Sequence, residues 1–136
     1  MGMNEGKGHY LGTEIDEKWW QRYSSDGFLA RGNGEYWTDT SAFHFRRHLT
    51  ETPIVIPFRD VILVKTGKWH SGRWLYGFPV VKIVWSKAGT RLSSGFFFSR
   101  NASEVETLVA KIRKLVEAQA ASSAAPLPNR LTYPQN

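Results

Sequence analysis

Two periods divide the chain. From about Gly27 to Ser99 apolar side chains recur at every second residue, the alternation of half-buried β-strands. From Asn101 to Ala120 they recur at three and four. Val105, Leu108, Val109, Ile112, Leu115 and Val116 fall on one face of a 3.6-residue period and predict an amphipathic helix. Asn101 caps it, and Glu104 three residues on completes a capping-box pattern. Glu104 and Glu106 suit the positive end of the helix dipole, and Lys111, Arg113 and Lys114 lie towards the negative end. Such a helix needs an apolar surface to cover, and the strands before it supply one.

Within the alternating region, Phe28–Arg31 and Glu35–Thr38 flank Gly32-Asn33-Gly34, which reads as a hairpin turn. Ala42–Leu49 sets Phe43, Phe45 and Leu49 against His44, Arg46 and His48, and Pro53 and Pro57 bracket Ile54-Val55-Ile56. Phe58–Thr66 is apolar on both faces through Val61, Ile62, Leu63 and Val64, which predicts a strand held between layers. Gly67–Gly72 is a turn. Phe78–Trp85 places Val81, Ile83 and Trp85 on one face and Lys82 on the other; Ser86–Gly89 turns the chain into Thr90–Ser99, with Leu92, Phe96 and Phe98 facing one way. About seven short strands at this spacing predict a curled or closed antiparallel sheet, an α+β (mainly β) fold with one helix covering it.

The ends differ. Met1–Gly12 is polar, Gly-rich and expected to be loose. Thr13 as N-cap with Ile15, Trp19 and Tyr23 at four-residue spacing predicts an extra short N-terminal helix, stopped by Ser24–Gly27. Adjacent Trp19 and Trp20 are costly to leave in water, so this helix is expected to dock on the main body. After Ala120 an Ala/Ser run gives way to Pro126, Pro128 and Pro134, too poor in apolar residues to bury a core. The domain organisation expected is therefore an arm with a docking helix at 1–26, a folded domain at 27–120 and a disordered tail at 121–136.

Composition narrows the chemistry. A chain of 136 residues with 41% hydrophobic and 14% aromatic residues can fold around one core. No cysteine is present, which excludes disulfides and thiolate metal sites. No apolar run is long enough for a membrane span and no signal peptide is visible, so a cytoplasmic protein is expected. The charge of +6 is concentrated in residues 27–120, with fourteen Lys/Arg against seven Asp/Glu. That bias favours anionic partners: an acidic protein, lipid headgroups or nucleic acid.

Catalytic signatures are missing. There is no phosphate-binding glycine loop, dinucleotide fingerprint, zincin pattern or nucleophile elbow, and Asp39, Asp60 and Glu35 make no acid/base pair. His9, His44, His48 and His70 are too scattered to hold a metal, and Arg46 between His44 and His48 would repel one. We therefore expect no enzyme, cofactor or metal. The candidate contact is the Lys65–Tyr76 connection, where Lys65, Lys68, His70 and Arg73 interleave with Trp69, Trp74 and Tyr76. Cations attract an anionic surface and indoles suit the headgroup layer. The opposing reading pairs Trp69 with Trp74 across a hairpin, the cations only keeping it soluble. Arg46 and Arg47 are candidates to extend the basic surface.

The order of strand motifs resembles the pleckstrin-homology-like superfamily, in its GRAM and bacterial PH-like branch. It is carried by Gly34-Glu35-Tyr36-Trp37-Thr38, Phe43-His44-Phe45, Ile56-Pro57-Phe58-Arg59-Asp60-Val61 and the Phe96-Phe97-Phe98-Ser99-Arg100 strand entering the helix at Asn101. The resemblance covers about Gly27 to Ala120. It implies a barrel of about seven antiparallel strands capped by a C-terminal helix, and a binding module in which basic inter-strand loops can meet lipid. Gly34 to Thr38 is one residue shorter than that pattern, which implies a bulge there. The function expected is a non-catalytic adaptor contacting an acidic protein or an anionic membrane surface, peripheral to that membrane. The alternative is a nucleic-acid-binding protein using the Lys65–Arg73 loop with Arg46 and Arg47. A third is self-association through an open sheet edge.

Overall fold

The computed structural model describes residues 4–24, 28, 31–48, 52–70 and 72–124, with the side chains of all but Asn4, Trp19, Arg73, Ser123 and Ala124. In chain order the strands are β1 (Asn4–Ile15), β2 (Lys18–Arg22), β3 (Gly32–Thr38), β4 (Ala42–Arg47), β5 (Ile54–Pro57), β6 (Val61–Gly67), β7 (Trp69–His70), β8 (Arg73–Trp74), β9 (Val80–Lys87) and β10 (Thr90–Phe97). A 3-10 turn, Phe58–Asp60, precedes β6, and helix α1 (Ala102–Ala124) ends the described chain. The main sheet runs β5-β4-β3-β1-β10-β9-β6, antiparallel throughout, with β2 paired to β1 and β7-β8 forming a separate hairpin. This is the expected curled sheet capped by a C-terminal helix.

The expected N-terminal helix is not there. Residues 13–23 form the end of β1, a tight turn and β2. A four-residue spacing fits a strand period of two as well as a helical period of 3.6, so Ile15, Trp19 and Tyr23 were compatible with both. Asp16 and Glu17 decide the matter with φ of 56° and 58°, left-handed values that make a two-residue hairpin turn and cannot continue a helix. Residues 4–12, expected to be loose, belong to a strand in the middle of the sheet, Asn4–Tyr10 pairing with β3 and the chain from His9 onward with β10. Their glycines hide the strand signal. At Gly8 an added Cβ would come within 2.7 Å of the Phe98 ring, so the neighbouring strands supply the side chains that cover this stretch.

Gly32-Asn33-Gly34 is also strand, paired with β1 on one side and, through Gly34, with β4 on the other. The turn lies at Asp39, whose Oδ1 accepts the N–H groups of Ser41 and Ala42, each at 2.8 Å, and sends the chain back into β4. The β3–β4 register has no bulge; register shifts occur in β1 between Tyr10 and Gly12 and in β6 between Val61 and Leu63. Because of the β6 bulge, Ile62 and Leu63 are both exposed, at 49% and 38%. β6 is thus an edge strand with one open side, correcting the expectation of a strand held between two layers.

The core forms where α1 closes the sheet. Val105, Leu108, Val109 and Ile112 meet Phe43, Phe45, Ile54, Ile56, Phe58 and Phe96. Asn101 Oδ1 accepts from the N–H of Ser103 (2.9 Å) and Glu104 (3.2 Å), as expected of the cap. Glu104 closes the box through Ser99: Ser99 Oγ donates to Glu104 and accepts from the Asn101 N–H. The helix continues to Ala124, four residues past the expected end, so Lys111, Arg113 and Lys114 sit mid-helix. Leu29, Ala30 and Leu49, and residues 125–136 of the expected tail, lie outside the described residues.

A one-way chain of hydrogen bonds crosses the core. Tyr10 Oη donates to the Phe28 carbonyl (2.8 Å), so it must accept from Thr13 Oγ1 (2.6 Å), which in turn accepts from Ser94 Oγ (2.7 Å). Trp85 Nε1 donates to Ser94 at 3.0 Å, and every linked hydroxyl is satisfied. Burial pushes the Tyr10 phenol up to about 12.

Candidate binding surface

The connection between β6 and β9 folds back across the outer face of the sheet. Its β7–β8 hairpin pairs Trp69 with Trp74 and His70 with Arg73, and β7 lies against β1 and β9. Alternation along so short a hairpin gives each face one kind of residue. Trp69 and Trp74 turn outward, 61% and 47% exposed, while His70 turns inward and is fully buried.

His70 fixes the hairpin to the sheet. Its ring occupies the space a side chain at Gly95 would fill: a Cβ there would sit 2.3 Å from the imidazole Cδ2. Nε2 lies 2.8 Å from the Gly12 carbonyl, which can only accept, so Nε2 carries the proton. Nδ1 lies 3.7 Å from Glu14 Oε1, itself buried. Burial drives the imidazole pKa down to about 4, outweighing the opposing pull of the Glu14 carboxylate and the Gly12 carbonyl. His70 is therefore a positioning residue inside the fold and stands away from the surface.

The other candidates separate. Lys68 is exposed beside Trp69. Lys65 donates to Glu17 Oε1, whose second oxygen takes Nη2 of Arg91 at 2.7 Å, and hydrogen bonds from these two cations hold the Glu17 carboxyl below its ordinary range. Lys65 is thus paired, within a cluster of two cations and one carboxylate. Arg46 is exposed on β4 opposite Glu35, which faces Lys7 on its other side, a mixed-sign ladder. Arg47 points the other way, buried, with its guanidinium 5.5 Å from the centre of the Tyr10 ring. The Arg73 side chain lies outside the described residues. On the His44–His48 face His44 is already engaged, while His48 is exposed. The His44 ring stacks on Trp37 at 4.9 Å and its Nε2 lies 3.0 Å from Asp39 Oδ2. Among the described residues no group of three or more His, Asp or Glu could hold a metal.

Aromatics outlast the cations. Beyond the hairpin Tyr76 is 80% exposed, with its ring 5.5 Å from that of Trp74. In the sequence Tyr76 stands with the aromatic stretch but is not among the candidate contact residues. The signal was available in Leu75-Tyr76-Gly77-Phe78, a two-residue turn between strands with a large ring at its first corner. A separate groove, of about 440 Å³, lies between β6 and α1. There Arg113 donates Nε and Nη2 to the Val64 carbonyl on the open side of β6, at 3.1 and 2.6 Å.

The family model described as Bacterial PH domain-like matches residues 2–113, most of the chain including β1. No curated protein matches the chain.

Proposed function

The chain belongs to the bacterial PH domain-like family, and on that premise we propose a non-catalytic binding module that docks on an anionic membrane surface through the β7–β8 hairpin. The observation that carries this reading is the exposure of Trp69, Trp74 and Tyr76 within eight residues of chain. Exposed aromatics so concentrated are costly in water and suit the layer between headgroups and acyl chains, where ring and polar tip are both accommodated. Lys68 beside them and the net charge of +6 supply attraction to anionic lipid. No described helix is long and apolar enough to cross a membrane, and the reading places the protein on a surface.

An acidic protein partner is the second reading. It is favoured by the same residues, because Trp and Tyr beside a cation also make protein-interface anchors. Flotation with phosphatidylcholine vesicles, with and without phosphatidylglycerol, separates the two. Binding that requires the anionic lipid and is lost in Trp69→Ala/Trp74→Ala supports the membrane reading. Failure to float with either vesicle overturns it in favour of a protein partner. A single-stranded oligonucleotide that strips the protein from vesicles would instead favour the nucleic-acid alternative.

A further inference from the structure

Tyr76 is held in a conformation that a tyrosine resists. The Phe78 N–H donates to the Leu75 carbonyl at 3.0 Å, and Tyr76 and Gly77 between them have φ of 57° and 83°. Two left-handed residues closed by that bond make a type I′ turn, whose first corner favours Asn, Asp or Gly. A tyrosine there is strained, and at 80% exposure its ring gains little from its own fold in return. Strain kept to display an exposed ring points to a function for that ring.

The ring stands beside a groove of about 300 Å³ between this turn and the outer face of the sheet. Leu75, Phe78 and Phe97 give it apolar walls. His9 and Asn33 add polar groups: His9 Nδ1 donates to Asn33 Oδ1 at 2.7 Å, which leaves the Asn33 amide N–H groups for another acceptor. Arg100 completes the lining, its guanidinium 5.4 Å from the centre of the Phe78 ring. No carboxylate is among the residues lining the groove, and Arg100 has no acidic partner among the described residues. The groove thus offers donors and a cation beside an aromatic lip.

Resting on the membrane reading, we propose that this groove is a subsite for the phosphate of an anionic phospholipid headgroup. Arg100 and the Asn33 amide donate to the phosphate oxygens, and His9 orients Asn33. Tyr76, with Trp74 alongside, lies in the interfacial layer above the same lipid. The strained turn therefore sets the distance between the donors and the apolar layer.

The test uses the full chain and vesicles of phosphatidylcholine with phosphatidylglycerol. Arg100→Gln is expected to weaken binding about fivefold with an unchanged melting temperature. Tyr76→Gly is expected to raise the melting temperature by a few degrees, because glycine relieves the turn, and still to weaken binding. Titration with a short-chain phosphatidylglycerol is expected to shift the Asn33 side-chain amide signals. If both variants bind like the parent chain while Trp69→Ala/Trp74→Ala does not, the groove is no headgroup site and the hairpin reading stands. If the parent chain binds no vesicle, both readings fall together.

Discussion

One imidazole carries much of the geometry of the proposed contact surface. His70 is neutral in the folded protein because burial holds it near 4, whereas an unfolded chain titrates near 6.5. Between those values the unfolded state binds the extra proton, so folding stability is fully present above about pH 6.5 and is lost as pH falls towards 4. Lys82 and Arg31 add to this resistance to protonation, and Glu14 opposes it. Thermal melts from pH 7 to 4 should decline steeply for the parent chain and more shallowly for His70→Gln, which keeps a donor for Gly12 but does not titrate. Equal slopes would remove His70 as the cause. Asp39 acts lower. Partial burial would raise its carboxyl, but the Ser41 N–H, His44 and the Ala42 N–H outweigh that and hold it at about 2, so its share is lost only as pH falls from about 4 towards 2. Residue type and alternation locate the inward side chains of Phe43, Phe45, Leu92 and Phe96. They did not reveal that His70, in a run of cations, would turn inward, because that depends on a vacancy at Gly95 some 25 residues further along.

At the scale of elements, α1 was legible from end to end of its apolar stripe because a helix carries its own pattern. Ile112→Ala should cost about 2–5 kcal/mol in chemical denaturation, since Ile112 is fully enclosed by the core. A loss well below 1 kcal/mol would mean that the helix does not close the barrel. β1 was illegible for the opposite reason. Its glycines borrow cover from Tyr36 and Phe98, so the apolar signal for β1 is written in β3 and just past β10. β2 failed through an ambiguity of period, and β6 because a bulge sends neighbouring apolar residues to the same side.

At the scale of the whole molecule, the sheet and its helical cap could be read from the order of motifs, and the aromatics of the β6–β9 connection marked it as the candidate contact. Which cations are free could not be read. Lys65 is paired with Glu17 from the β1–β2 turn, and Arg47 disappears beneath Tyr10; both depend on partners brought together only by folding. The two ends of the strand order raise a different matter, that of oligomeric closure. β5 ends in Pro57, which has no N–H to offer a neighbour, whereas the open side of β6 carries apolar Ile62 and Leu63 and, among the described residues, is met by the two hydrogen bonds of Arg113 to Val64. Removing that guanidinium leaves one adhesive edge per molecule. A sheet with a single such edge can add only one copy of itself, across a two-fold axis, and growth then stops. Arg113→Ala should therefore sediment as a concentration-dependent dimer with no larger species. A variant that remains monomeric at high concentration would show that the edge is guarded by something else, and a ladder of higher polymers would mean that β5 is adhesive as well.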